Sequence, residues 1–139
     1  MDIQQGLDSN RSKMIKIDIE ESKFQEISVY SARGSYEGVS IQESGKTKWY
    51  KVVENGKMVG CGGLLMMGGV VRIKGLYIEK DKRGKGYGTI LTNYLLARAQ
   101  DFMASCVEVL TYKPSVYEKL GFKITGTMPN GAKKMRRNI

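Results

Sequence analysis

The segment Arg83-Gly84-Lys85-Gly86-Tyr87-Gly88 joins an apolar stretch, Val70 to Ile78, that reads as a strand, to a helical pattern starting at Gly86. A strand that delivers the chain through glycines into a helix N-terminus makes a phosphate site. Glycines lack a Cβ, so backbone N–H groups can close on an anion. The first turn of the helix adds unpaired N–H groups and the positive end of its dipole, while Arg83 and Lys85 supply cations. The expected ligand carries a pyrophosphate. Two nucleotide motifs fail on spacing: from Gly84 the third glycine of G-x-G-x-x-G falls on Thr89, and Gly45-Lys46-Thr47 has Ser40 where a P-loop needs its first glycine. A basic, glycine-rich surface turn is the plain alternative, and the loop alone does not separate the two.

The rest of the chain supplies a frame for that loop. Met14 to Glu20 alternates as a half-buried strand does, and Ser22 is placed to cap a short helix through Phe24 and Ile27. Ser31 to Ser44 is polar and glycine-interrupted, the kind of segment that borders a binding site. Lys48 to Glu54 and Met58 to Met66 flank Asn55-Gly56, a hairpin signal, and Gly68-Gly69 returns the chain into Val70 to Glu79. Ile90, Leu91, Tyr94, Leu95, Phe102 and Met103 give helical spacing from Gly86 to about Ala104, and Cys106 to Tyr112 is again a strand. Strand, helix and strand in succession predict a parallel crossover. Pro114 opens a short helix that ends before Gly121, and Phe122 to Thr127 with Ala132 to Asn138 form a hairpin around Pro129-Asn130-Gly131. Within that frame Leu76 and Ile78 also have a plain reading as core.

At 139 residues the chain fits one domain, with residues 1–12 a flexible polar tail and 13–139 the domain. Cys61 and Cys106 have no histidine or metal-ligand spacing near them, so they read as core filler in a reducing compartment. No apolar run approaches membrane-spanning length, which points to a cytoplasmic protein. The net charge of +9 lies entirely in residues 61–139, which hold fourteen Lys/Arg against five Asp/Glu. The phosphates of the expected pyrophosphate ligand explain part of it. Lys133, Lys134, Arg136 and Arg137 fit either an anionic macromolecule or a solvated tail.

The spacing Arg83-x-x-Gly86-x-Gly88 between a strand and a helix, followed downstream by Val116-Tyr117-Glu118-Lys119-Leu120-Gly121-Phe122, resembles the GNAT superfamily of acetyl-CoA-dependent N-acetyltransferases. The resemblance runs from about Lys46 to the C-terminus. It implies an α/β (α+β) fold: a mixed, mostly antiparallel sheet flanked by helices, with a splay between the fourth and fifth strands. It implies acetyl-CoA as co-substrate, no metal, and an amine acceptor that attacks the thioester directly. The pantetheine arm would pair with the backbone of Leu76, Tyr77 and Ile78, and the pyrophosphate would rest on Arg83, Gly84, Lys85, Gly86, Tyr87, Gly88 and Thr89. Tyr117 matches the family's tyrosine beside the departing sulfur; a phenol with a pKa near 10 stays protonated at neutral pH and can protonate the thiolate. Tyr112 is the substitute.

The general base departs from the family pattern. Many relatives carry a glutamate eleven residues before the Gln/Arg of the loop, and Arg72 stands there. Strict alternation puts Arg72, Lys74, Leu76 and Ile78 on one face and Val71, Ile73 and Tyr77 on the other. Arg72 and Lys74 then look toward the acceptor and favour one carried on something anionic, such as a nucleic acid, or else they face solvent. Glu54, Glu79, Glu108 and Asp81 remain open as carboxylates acting through water. An N-acetyltransferase whose amine acceptor is carried on a nucleic acid or other anionic molecule is the leading expectation, with a protein N-acetyltransferase as an alternative. A non-catalytic acyl-CoA-binding sensor and a coenzyme-free nucleic-acid-binding domain are the other classes; the chain would be a monomer or homodimer and would not bind membranes.

Overall fold

Asn55 and Gly56 both take left-handed backbone (φ 49 and 84), which closes the tight turn that the Asn-Gly pair favours. This turn joins β2 (Thr47–Glu54) to β3 (Lys57–Met67), and Gly68 (φ 74) turns β3 into β4 (Val70–Ile78). The remaining strands are β1 (Ile17–Ser22), β5 (Cys106–Thr111), β6 (Lys123–Thr127) and β7 (Lys133–Asn138). In this computed structural model residues 15–139 are described; the polar tail expected over 1–12, and Met14 where the first strand was expected to begin, lie outside them. One seven-stranded sheet results, in the order β1-β2-β3-β4-β5-β7-β6, antiparallel except for the β4–β5 pair. The mixed sheet with flanking helices agrees with the expected fold class. The last two strands do form a hairpin, but it enters the sheet by β7, so β7 lies between β5 and β6.

Helix α1 (Phe24–Ile27), a 3₁₀ turn (Ser28–Tyr30) and α2 (Ser31–Tyr36) follow β1. Lys23, not Ser22, is the N-cap of α1, and Ser22 Oγ hydrogen-bonds Glu26 at 3.2 Å instead. The glycine-interrupted stretch is thus helical in its first half, and only its remainder, 37–44, is irregular.

Helix α3 (Tyr87–Asp101) buries Tyr87, Leu91, Leu95 and Ala99, spaced by four along one stripe, together with Thr92 and Leu96. These side chains meet Val52, Val59, Leu64, Val71, Ile73, Val107 and Val109 on one face of the sheet. Each aliphatic side chain so buried contributes about 1.5–3 kcal/mol. Ile90, Phe102 and Met103 were expected on that stripe and are exposed. The helix ends at Asp101, Phe102 is its C-cap, and Met103 leaves in left-handed backbone (φ 64), so neither is carried back to the sheet. The opposite face carries a second core of Ile27, Tyr30, Ile41, Trp49, Cys61 and Tyr77. Helix α4 (Pro114–Glu118) starts on its proline, and Gly121 (φ 88) follows its end. No helix among the described residues is long and apolar enough to cross a membrane.

Alternation along β4 breaks at Gly75. Between the pairs Gly63↔Lys74 and Cys61↔Tyr77, β4 advances three residues while β3 advances two, so β4 carries a bulge. Gly75 sits in it with φ 62, and a methyl group there would lie 2.8 Å from the Trp49 ring. The extra residue turns every later side chain over. Val71 and Ile73 face α3, and so do Ile78 and Leu76, whereas Tyr77 joins the second core and Lys74 lies 5.7 Å from the centre of the Trp49 ring. The expected shared face of Arg72, Lys74, Leu76 and Ile78 is therefore wrong, because a period of two does not survive a bulge.

Candidate active site

The parallel pairing of β4 and β5 stops early. Val70–Ile73 pair with Cys106–Val109, and beyond them neither strand is paired to the other, although β4 continues to Ile78 and β5 to Thr111. The break adjoins the Gly75 bulge. Among the described residues, backbone groups of Lys74 to Ile78 on that side have no strand partner, and an extended ligand can supply one. Both strands run out at the same end of the sheet, the usual place for a ligand crevice in such a crossover.

The chain leaves β4 through a 3₁₀ turn, Lys80–Lys82, and enters the glycine loop at this end. Gly86 (φ 86) is the N-cap of α3 and offers no side chain to its N–H groups, so the first turn is uncapped. Among the described residues, a methyl group at Gly84, Gly86 or Gly88 would meet nothing within 4 Å. Lys85 and Thr89 are exposed beside them. The loop therefore presents backbone donors to open space, as an anion requires.

Two loop side chains point elsewhere. Tyr87 is buried and its hydroxyl bonds Glu54, which also accepts Lys82 Nζ at 2.7 Å. The Lys82 ammonium and this hydroxyl hold the Glu54 carboxyl below its ordinary range, and the Tyr87 phenol is raised by the same bond. Tyr87 thus anchors the helix start and leaves only its backbone for a ligand. Arg83 turns toward α2: Nε donates to the Ile78 carbonyl at 2.8 Å, a terminal nitrogen lies 2.8 Å from Glu37, and the guanidinium sits 5.2 Å from the Tyr77 ring centre. Ile78 keeps its place in the strand, but its carbonyl is taken.

Arg72, at the position where relatives carry a glutamate, is not a free cation. It pairs with Glu108 (2.6 Å), whose other oxygen pairs with Arg136 (2.9 Å), so three adjacent strands share one charged row. Burial opposes ionisation of Glu108, but the two guanidiniums prevail and hold it below the ordinary carboxylate range. Glu108 is 1% exposed with both oxygens engaged, which removes it as a base acting through water. Lys74 donates to Ser44 Oγ at 2.9 Å and to the Gln42 carbonyl at 3.3 Å, and burial lowers its pKa. Both residues lie on the face of β4 opposite α3, each fixed by its own partners. The C-terminal basic residues are not a solvated tail: they form β7, where Arg137 also donates to the Leu120 carbonyl at 2.8 Å.

Tyr117 lies on α4, which follows directly from β5 at the open end of the splay. It is buried against Phe122 (ring centres 5.6 Å apart), its hydroxyl has no hydrogen bond among the described residues, and burial pushes its pKa up to about 12. A phenol so held stays protonated at neutral pH. Tyr112 is exposed, and its ring lies 3.9 Å from where a methyl group on Gly38 would sit. The 37–44 segment and the end of β5 therefore face one another.

Sequence reasoning missed the polar cluster on this side. Tyr77 donates to Glu37 at 3.2 Å, Tyr30 donates to Glu79 at 2.7 Å, and the two tyrosine rings stack 5.2 Å apart. Glu37 comes from a distant part of the chain, so no spacing announces it. Asp81 is exposed on the 3₁₀ turn.

The profile of the acetyltransferase (GNAT) family matches residues 14–122. A peptidyl-lysine N-acetyltransferase, YjaB, from Salmonella typhimurium is 32% identical over 78 residues, 56% of this chain and 51% of that protein. The chain thus spans about half the length of the curated relative it matches. Among solved structures, an aminoglycoside 6′-N-acetyltransferase complexed with coenzyme A superposes with a TM-score of 0.75 at 18% identity, covering 87% of this chain and 96% of that one. N-acetylglutamate synthase from Neisseria gonorrhoeae, complexed with coenzyme A and N-acetyl-glutamate, gives 0.73 at 16% identity, covering 90% of this chain and 35% of that one. At such identities the likeness is one of fold. The family profile spans well over half of the sequence, and with the motifs and splayed sheet in agreement, the chain belongs to the acetyltransferase (GNAT) family.

Proposed function

We propose that this chain moves an acetyl group from acetyl-CoA to an amine. The observation that carries the reading is the separation of β4 from β5 after Ile73 and Val109, at the end of the sheet where the glycine loop presents open backbone. The pantetheine arm adds to β4 along Leu76, Tyr77 and Ile78, while the pyrophosphate rests on the amides of Gly84 to Thr89. The amine nitrogen attacks the thioester carbonyl, the C–N bond forms, the C–S bond breaks, and Tyr117 protonates the departing thiolate. Backbone N–H groups beside the bulge stabilise the oxyanion.

A lysine side chain of a protein is the acceptor best supported. The relative from Salmonella typhimurium is named for that substrate, and Glu108, paired with both Arg72 and Arg136, halves the positive charge of that row and so weakens its repulsion of an ammonium. A lysine amine must lose a proton first, since its pKa lies near 10.4. Glu79 is the candidate for accepting that proton through water: it stands at the end of β4 with only the Tyr30 hydroxyl bonded to it among the described residues. One observation favours a nucleic-acid-borne acceptor instead. A groove of 610 Å³ at the other end of the sheet is lined by Lys123, Arg136 and Arg137 and by no carboxylate.

Calorimetry with acetyl-CoA and a thiol-release assay over a lysine peptide, an α-amino acid, a polyamine and an aminoacylated RNA test the reading together. Binding with fastest release on the lysine peptide, rising with pH and insensitive to salt, is the expected result. Fastest release on the RNA with a steep fall in salt moves the acceptor to nucleic acid. Binding without release on any amine makes the chain an acyl-CoA sensor, and no binding removes the reading.

A further inference from the structure

We infer that Arg83 is a positioning residue that ties the glycine loop to the acceptor wall, so that filling the coenzyme site tightens residues 37–44. The inference rests on the coenzyme reading above for its ligand, though its geometry stands apart from it.

Arg83 belongs to the loop by sequence and to the opposite wall by contact. Its guanidinium donates to the Ile78 carbonyl, pairs with Glu37 and stacks on Tyr77, whose hydroxyl donates to the other oxygen of Glu37. To meet a phosphate it would have to give up its hydrogen bond to the Ile78 carbonyl and its ion pair with Glu37, whereas the glycines of the loop border space that no described atom fills. Glu37 is the C-cap residue of α2, and Gly38 beside it abuts the Tyr112 ring. At its far end the same segment is held by Lys74, through the Gln42 carbonyl and Ser44 Oγ. Residues 37–44 are thus a strap pinned at both ends, one pin coming from the coenzyme loop and one from β4.

The Arg83 and Glu37 side chains are 37% and 33% exposed, so the pair adds little to global stability. Its effect is on where the strap sits. A ligand that orders the loop lowers the entropy lost in holding Arg83 in place, and that gain passes to Glu37 and the strap; by linkage, an ordered strap favours the ligand in return. Acceptor binding between the strap and Tyr112 then depends on the coenzyme being in place.

The test is hydrogen exchange at the amides of residues 37–44, with and without saturating coenzyme A. It compares the natural chain, Glu37→Gln, Arg83→Gln and the double exchange Glu37→Arg with Arg83→Glu. Coenzyme A should slow exchange there roughly fivefold or more in the natural chain. Either single change should abolish this response, and the charge-swapped pair should restore part of it. By the same linkage, coenzyme affinity should fall in Glu37→Gln by no more than the factor of that slowing. The inference is overturned if coenzyme A leaves exchange at 37–44 unchanged in the natural chain. It is overturned equally if Arg83→Gln weakens coenzyme binding tenfold or more while Glu37→Gln keeps the protection. If the natural chain binds no coenzyme A, it is the coenzyme reading that fails. The tie is then read without ligand: Glu37→Gln should speed exchange at 38–44 and the swapped pair slow it again, and identical exchange in all three proteins overturns it.

Discussion

A methyl group added at Gly75 would lie 2.8 Å from the Trp49 ring, and one at Gly63 would lie 2.9 Å from the same ring, whereas at Gly84, Gly86 and Gly88 it would meet nothing within 4 Å. The middle of the sheet uses glycine because neighbouring atoms already fill the space. The loop at its end uses glycine where the protein supplies no neighbour. The same contrast separates charged groups: Arg72, Glu108 and Arg136 satisfy one another, while the N–H groups at the start of α3 have no side-chain cap. Completed regions hold the fold, and incomplete ones await a ligand. Substitutions in the first should therefore be read in stability, and in the second in coenzyme binding or turnover.

The largest expected effect belongs to the open region. Tyr117→Phe keeps the ring against Phe122 and removes a hydroxyl with no bond among the described residues, so the melting temperature should hold while kcat falls about 10²- to 10⁴-fold. A near-normal rate in steady-state assays would pass the acid role to Tyr112 or water. In the packed region, Gly75→Ala combines a clash with Trp49 and a left-handed backbone, and should cost about 2–5 kcal/mol in urea denaturation. An unaltered midpoint would mean that the bulge relaxes, and the distinction between the two sets of glycines would lose its basis.

Gly88→Val sharpens the distinction from the other side. The position is helical, the space around it is empty, and stability should stay within about 0.5 kcal/mol. Acetyl-CoA affinity measured by calorimetry should nevertheless drop tenfold or more, about 1.4 kcal/mol, since the branched side chain occupies the ligand's approach. The smallest effect concerns the charged row. Its guanidiniums reach water, so Glu108→Gln should cost about 1 kcal/mol at neutral pH. Because Glu108 titrates below its ordinary 4.5 in the folded chain, its stabilising share is whole above that pH and is lost as pH falls through the lowered value. Denaturation at a series of acid pH values should show a loss in the natural chain that is reduced in Glu108→Gln.

Apart from α2, strand and helix positions were legible because hydrophobic period, Asn-Gly, Pro114 and Gly121 are local signals, and the glycine loop was legible because its spacing is local too. What depended on register was not. The pairing of Arg72 with Glu108 exists only once β4 and β5 are aligned, and the sidedness of Leu76 and Tyr77 only once Gly75 adds a residue to its strand. Arg83 showed the same limit. Its place in the motif fixed where its backbone would be, while the direction of its side chain was decided by Glu37 and Tyr77, which the loop's own sequence does not mention.

The placing of β7 between β5 and β6 has a consequence for shortened forms of the protein. Among the described residues β6 has no other strand beside it, and β5 meets β4 over only four residue pairs, so β7 is the keystone of that side. A chain cut before Lys133 would strip β6 of the strand it pairs with and lay bare a full edge of β5, whose Val107 and Val109 belong to the core. Raw strand edges recruit other chains. Such a fragment should form insoluble assemblies rather than a smaller version of the same fold, even though the glycine loop and Tyr117 would both still be present in it.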